Sequence, residues 1–227
     1  MFDYTPYLRM NRMPHIWCAG CGNGIVTKAL IRAVDKLAIK RDDVVLVSGI
    51  GCSSRAPGYL EFNTLHTTHG RALAFSTGVK AFNPKLNVLI ISGDGDSVAI
   101  GGNHFIHACR RNIDLTLIVF NNSIYGMTGG QNSPTTPVGS RTTSMPYGNI
   151  DEPFNIVNLA LGAGATFVAR TTVAHPVQNE LYIRKGIENK GFSVIEVVAD
   201  CPTAYGRRNR MKDPVAQLLD YQKRAIK

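Results

Sequence analysis

Residues 88–127, VLIISGDGDSVAIGGNHFIHACRRNIDLTLIVFNNSIYGM, read as strand, turn, helix, strand. Val88 to Ser92 and Leu115 to Phe120 are near-continuous apolar runs, the pattern of parallel strands buried on both faces. Asp94 then falls at the carboxyl end of one strand and Asn122 at the carboxyl end of the next, on one shared rim. A hard divalent cation such as Mg2+ takes oxygen ligands, is held by one or two carboxylates, and completes its shell with phosphate oxygens and water. An Asp and an Asn amide on neighbouring strand ends, beside glycines that let a diphosphate approach the backbone, supply such a site.

Working outward, the chain alternates strands with helices. Asn23 is the expected N-cap of a helix in which Val26, Leu30, Ala33, Val34 and Leu37 recur at helical spacing. Val44 to Ser48 is a β-branched strand, residues 56–68 read as loop, and a helix covers Arg71 to Phe82, with Asn83-Pro84 stopping it. Beyond the central stretch, Ser123 to Asn149 is a Gly-, Thr- and Pro-rich loop, long enough to indicate function. Helix Asn155 to Leu161, strand Thr166 to Arg170, helix Pro176 to Asn189 and strand Ser193 to Ala199 complete five β units. The pattern predicts an α/β doubly wound parallel sheet. Residues 1–227 read as one domain, with an N-terminal arm and a C-terminal tail that each carry cysteine.

With 227 residues the chain has the mass to bury a real core. It has no apolar run long enough to span a bilayer and no signal-peptide start, so the expectation is a cytoplasmic protein that engages no membrane. The formal charge of +9, from 25 basic and 16 acidic residues, is compatible with nucleic acid, an anionic substrate or an acidic protein partner. Its clusters, Arg110-Arg111 and Arg207-Arg208-Asn209-Arg210, lack the aromatic interleaving of a single-strand binder, and nucleic acid is not expected.

Four of five cysteines lie in loops: Cys18 and Cys21 at C-x-x-C spacing, Cys52 just past the first strand, and Cys201 just past the last. Cys109 sits inside a helix and reads as a small buried hydrophobe. Reducing cytosol disfavours structural disulfides, and four thiolates suit Zn2+ or an iron-sulfur cluster. His66 and His69 are open between metal ligation, cofactor contact and surface roles.

Gly93-Asp94-Gly95 followed at the next strand end by Asn121-Asn122 resembles the thiamine diphosphate motif of thiamine-dependent enzymes. A redox-active cluster beside that cofactor would carry electrons away, which favours 4Fe-4S over zinc. Taken with Cys18-Ala-Gly-Cys21-Gly, Gly51-Cys52-Ser-Ser-Arg55, His69-Gly-Arg-Ala, Tyr125-Gly-Met-Thr-Gly-Gly-Gln131 and Cys201-Pro202, the chain resembles the β subunits of 2-oxoacid:ferredoxin oxidoreductases over nearly its whole length. The loop after Ile124 and the tail after Cys201 look most like the 2-oxoglutarate enzymes. The resemblance implies a thiamine diphosphate-binding fold in which Cys18, Cys21, Cys52 and Cys201 bind a 4Fe-4S cluster. By the same resemblance Asp94, Asn122 and the Ile124 carbonyl hold Mg2+, while Ile50, Gly51, Cys52, Ser53, Gly95, Asp96, Gly126 and Met127 line the thiamine diphosphate. Arg55 stands where the family carries a basic residue near the 2-oxoacid.

The implied partners are an α subunit that supplies the other half of the thiamine site and its activating Glu, ferredoxin, coenzyme A and a 2-oxoacid, in a heterodimer or heterotetramer. Two departures from the family stand out: Ala19 replaces a common Pro, and members usually continue beyond the equivalent of Lys227. Competing readings are a β subunit of a pyruvate or branched-chain 2-oxoacid:ferredoxin oxidoreductase, a non-redox thiamine decarboxylase or carboligase, which would not need the four loop cysteines, and a zinc-bearing anion-binding scaffold.

Overall fold

The computed structural model describes residues 2–211 and 213–225. Its frame is a six-stranded, wholly parallel sheet built from β1 (Val44–Ser48), β2 (Asn63–His66), β3 (Asn87–Gly93), β4 (Thr116–Asn121), β5 (Phe167–Thr172) and β6 (Ser193–Val198). In space the order is β2-β1-β3-β4-β6-β5. The chain leaves β1 in one direction to make β2 and in the other to make β3, so the order reverses between β1 and β3. Open α/β sheets bind ligands in the crevice beyond the carboxyl ends at such a reversal.

Side chains alternate across the sheet with the period of two that an extended strand imposes. Leu89 and Ile91 of β3, with Ile118 and Phe120 of β4, face α1 (Asn23–Lys36) and α6 (Pro176–Glu188). Val88 and Ile90, with Leu117 and Val119, face α2 (Ala72–Phe82), α4 (Gly102–Arg111) and α5 (Ile156–Gly162). Both faces are covered, which is why these strands are apolar throughout. Cys109 is fully buried in the second core, as a small hydrophobe should be. The N-terminal arm lies over the first core, where Phe2, Tyr4, Tyr7, Leu8 and Trp17 pack. Tyr7 Oη donates to Asp35 of α1 at 2.6 Å.

Several expectations need correction. The described residues form six strands, because residues 56–68 are not all loop: Ser53–Tyr59 is 3-10 helical and Asn63–His66 is the edge strand β2. An edge strand with polar, exposed side chains carries no apolar run to betray it. Asn23 does not cap its helix. Gly22 is the N-cap residue, without a side-chain capping bond, and Asn23 is packed inside with its Nδ2 unpartnered. The missing Cβ of Gly22 makes room for Asp200, whose Oδ1 lies 2.6 Å from where that atom would sit. A short helix, α3 (Asp94–Val98), starts directly at Asp94. An amphipathic helix, α7 (Pro214–Arg224), follows the last cysteine and is capped by Asp213, which accepts from the Val215 N–H at 2.9 Å.

Candidate active site at the sheet reversal

Gly93 of β3 pairs in register with Phe120 of β4, so Asp94 and Asn121-Asn122 emerge side by side. Around them lies a cavity of about 130 Å³ lined by Ile50, Gly51, Cys52 and Ser53 after β1, by residues 93–96 after β3, and by Asn122, Ile124, Tyr125, Gly126 and Met127 after β4. All the side chains and backbone positions expected around a diphosphate and its cation therefore meet at one point, with His69, Tyr125 and Thr128 in addition. Arg55 is not among them. It is exposed on the 3-10 turn behind Cys52, and its side chain makes no hydrogen bond or ion pair among the described residues. His66 is also outside, on β2, within 2.9 Å of the Ser48 hydroxyl.

The two aspartates of Gly-Asp-Gly-Asp do different work. Asp96 is saturated by the protein: Oδ1 accepts from the Gly70 N–H at 2.7 Å and the Ile50 N–H at 3.2 Å, and lies 2.5 Å from His69 Nδ1, while Oδ2 accepts from Ser92 Oγ at 2.6 Å. One carboxylate thus fixes the loop after β1 to the turn before α2. Gly49 is glycine because a Cβ there would stand 2.1 Å from this carboxylate. Gly95 is needed for a second reason, since its Cβ position lies 2.2 Å from the Tyr125 ring. The close approach at this glycine is made by an aromatic ring of the same chain.

Asp94 is 2 % exposed, and burial raises its carboxyl above the ordinary carboxylate range, partly offset by hydroxyls of Ser133 and Thr135. A buried carboxyl of this kind calls for a cation or a set of donors. Thr135 Oγ1 lies 2.6 Å from Asp94 Oδ2 and 2.9 Å from Asn121 Oδ1. Asn121 is oriented in turn by Glu196, whose Oε1 accepts from Asn121 Nδ2 at 2.7 Å, and Glu196 Oε2 accepts from Arg170 Nε at 2.7 Å. The row runs across β5, β6 and β4 into the loop, and it escaped the sequence reading. The signal was there: Glu196 is a lone acid in the apolar strand Val194-Ile-Glu-Val-Val198, and an acid so placed demands a partner. Asn121 Oδ1 also accepts from the Ser123 N–H at 3.1 Å, and Asn122 Oδ1 from the Ile124 N–H at 3.3 Å, which shape the start of the long loop.

A second cavity, about 240 Å³, is lined by Cys18, Cys21, Cys52 and Cys201 with Ile16, Trp17 and Pro202 to Ala204. Trp17 Nε1 donates to the Cys52 carbonyl at 2.7 Å, holding the arm against it. Burial pushes the Cys21 thiol up to about 12 and Cys52 up to about 11, and neighbouring cysteines add to both shifts. Cys201 is raised for the same first reason. A single tetrahedral zinc would draw thiolates to within about 3.8 Å of one another, given Zn–S bonds near 2.3 Å. Among the described residues no three His, Cys, Asp or Glu side chains close on one ion in that way. Four thiols around one cavity are a donor set that suits an iron-sulfur cluster or zinc. Cys52, Asn122, Gly126 and Met127 line both cavities, and a Cβ on Gly126 would sit 3.6 Å from Cys52 Sγ and 3.7 Å from Cys201 Sγ.

Residues 49–197 match the family described as thiamine pyrophosphate enzyme, C-terminal TPP binding domain. The 2-oxoglutarate synthase subunit KorB of Methanothermobacter marburgensis is 55 % identical over 98 % of this chain and 78 % of that protein. Its counterpart in Methanocaldococcus jannaschii is 57 % identical over 98 % and 82 %. A solved 2-oxoglutarate:ferredoxin oxidoreductase from Magnetococcus marinus, with 2-oxoglutarate, coenzyme A and succinyl-CoA bound, superposes with a TM-score of 0.86 at 36 % identity, covering 89 % of this chain and 69 % of that one.

Proposed function

The chain belongs to the β subunits of the thiamine diphosphate-dependent 2-oxoacid:ferredoxin oxidoreductases, and from that premise we propose that it forms the cofactor half-site and the electron exit of a 2-oxoglutarate-oxidising complex. The observation that carries the reading is the wall common to the two cavities: Cys52, Asn122, Gly126 and Met127 touch both. The overall reaction takes RCOCOO− and coenzyme A thiol to the acyl thioester, CO2, one proton and two electrons. When bound, thiamine diphosphate supplies the carbanion chemistry and a 4Fe-4S cluster accepts electrons singly.

The chain's own residues bind, orient and exclude water. Asp94, Asn122 and the Ile124 carbonyl would hold Mg2+, and Cys18, Cys21, Cys52 and Cys201 would hold the cluster. Ile50, Gly51, Ser53, Gly95, Asp96, Gly126 and Met127 line the thiamine side of the wall, with Asp96 acting through the loops it ties rather than by its own oxygens. The Tyr125 ring, packed on Gly95 and edge-on to His69, covers the site from the loop side. Arg55, exposed and unengaged, is free to pair with the 2-oxoacid carboxylate, for which a guanidinium fork is suited. At about 130 Å³ the cavity is smaller than the roughly 300–1,000 Å³ of ordinary cofactor pockets, so it holds one end of the cofactor and an α subunit covers the other, supplying the activating Glu.

The complex of this chain with its α subunit, purified anaerobically, is expected to reduce ferredoxin when given 2-oxoglutarate and coenzyme A, and to contain iron and sulfide. Zinc without iron in protein made under iron-replete, anaerobic conditions, or no 2-oxoacid-dependent reduction, would overturn the reading.

A further inference from the structure

Arg141, Arg207, Arg208 and Arg210 are all exposed, and none of them forms an ion pair among the described residues. They come from two segments far apart in the chain and are held together by Asn209. Its Oδ1 accepts from the Arg141 N–H at 2.8 Å, and its Nδ2 donates to the Arg141 carbonyl at 3.0 Å and to the Tyr205 carbonyl at 3.0 Å. Tyr205 Oη lies 2.9 Å from Ser140 Oγ, a second fastening between the same segments. The cluster sits one π-helical turn, Pro202–Gly206, beyond Cys201. Arg208 returns to that turn, donating from Nη1 to the Ala204 carbonyl at 2.8 Å, and Ala204 lines the four-thiol cavity. That cavity is open to solvent on the arm side, where Cys18 is exposed and Ile16 is 64 % exposed. A group of exposed arginines without ion pairs, one turn from a redox-type thiol site, is an arrangement suited to electrostatic steering of an anionic protein.

We propose that the face formed by Arg141, Arg207, Arg208 and Arg210 is the docking surface for a small acidic electron-carrier protein, placed to receive electrons from the four-cysteine cavity. The inference rests on the reading of that cavity as the electron exit. Each turnover releases two electrons, so two one-electron carriers are reduced in succession, each binding oxidised and leaving reduced. Weak, fast, salt-sensitive contact suits that traffic, and exposed arginines provide it, since their attraction is screened beyond roughly 8 Å at physiological salt.

The test uses the complete complex with Arg141, Arg207 and Arg210 changed together to Gln, leaving Arg208 because it ties Ala204. The KM for an acidic ferredoxin is expected to rise about tenfold at low salt, and the salt dependence of kcat/KM to flatten. Reduction of a viologen dye and the KM for coenzyme A should stay within about twofold of wild type. The Arg→Lys triple, which keeps the charge, should restore the ferredoxin KM. An unchanged ferredoxin KM with intact viologen activity overturns the docking surface alone, as does a raised KM for coenzyme A instead, which would make the face an anionic-substrate site. A wild-type complex that reduces neither viologen nor ferredoxin overturns the functional reading and the docking surface with it.

Discussion

Thr135 has one hydroxyl proton and two acceptors in reach, Asp94 Oδ2 at 2.6 Å and Asn121 Oδ1 at 2.9 Å. When Asp94 carries its charge the hydroxyl donates to the carboxylate rather than to the amide oxygen, because a hydrogen bond to an ion is worth about 1.5–3 kcal/mol against roughly 1 for a neutral one. Thr135→Val keeps the shape and removes the proton. It is expected to weaken Mg2+-dependent thiamine diphosphate binding about tenfold, with Thr135→Ser within about twofold, as read by calorimetric titration. Asp94→Ala should abolish that binding; unchanged affinity in Asp94→Ala would refute the cation assignment, and unchanged affinity in Thr135→Val alone would refute only the role of the hydroxyl. Arg55→Ala is expected to lower kcat/KM for the 2-oxoacid by about one to three orders of magnitude, matching the loss of one charge-assisted contact. The same variant should leave thiamine diphosphate affinity unchanged, because Arg55 does not line the cavity. Residues such as Asp94, Asn122 and the four loop cysteines, which the fold brings to two adjoining cavities, stood out in the sequence because the chemistry proposed for them restricts the residue type. Thr135 was not, since a threonine in a Thr-rich loop looks like its neighbours until the fold folds one of them back onto Asp94.

Among the elements, the arm offers a test that is independent of any cofactor. Tyr7 is pushed up to about 12 from an ordinary 10.0, first by its hydrogen bond to Asp35 and then by burial. A phenol held protonated in the folded state contributes stability that is intact below pH 10 and is lost as pH rises from 10 through about 12, because the unfolded chain gives up its proton first. The melting temperature of wild type should therefore fall further across that window than that of Tyr7→Phe; parallel curves would show that the contact does not fasten the arm. Legibility among elements followed burial. The strands β1, β3, β4 and β6 announce themselves because both faces are covered. Strand β2, Asn63-Thr-Leu-His66, has a single apolar side chain and lies at an edge, so period and composition were silent there. The five-residue α3 is shorter than any window in which helical period can be counted.

At the scale of the molecule, the position of β6 between β4 and β5 could not be read locally, because neighbours in a parallel sheet are chosen by the packing of the whole. That choice is what lets Glu196 reach Arg170 on one side and Asn121 on the other. The number of layers and the rim that carries the site were readable, since apolar runs alternating with helices leave few alternatives. Among the described residues no helix is long and apolar enough to cross a membrane. The assembled complex is expected to oxidise 2-oxoglutarate in preference to pyruvate, in line with its relatedness to the 2-oxoglutarate synthase subunits, and steady-state viologen reduction with each acid decides it; equal or better activity on pyruvate would overturn the preference. The wall that Cys52 and Gly126 share between the cavities would couple the two loading events if both sites fill as proposed. By reciprocity, whatever effect a filled thiol cavity has on thiamine diphosphate affinity would be matched, factor for factor, by the effect of thiamine diphosphate on the ligand of the thiol cavity.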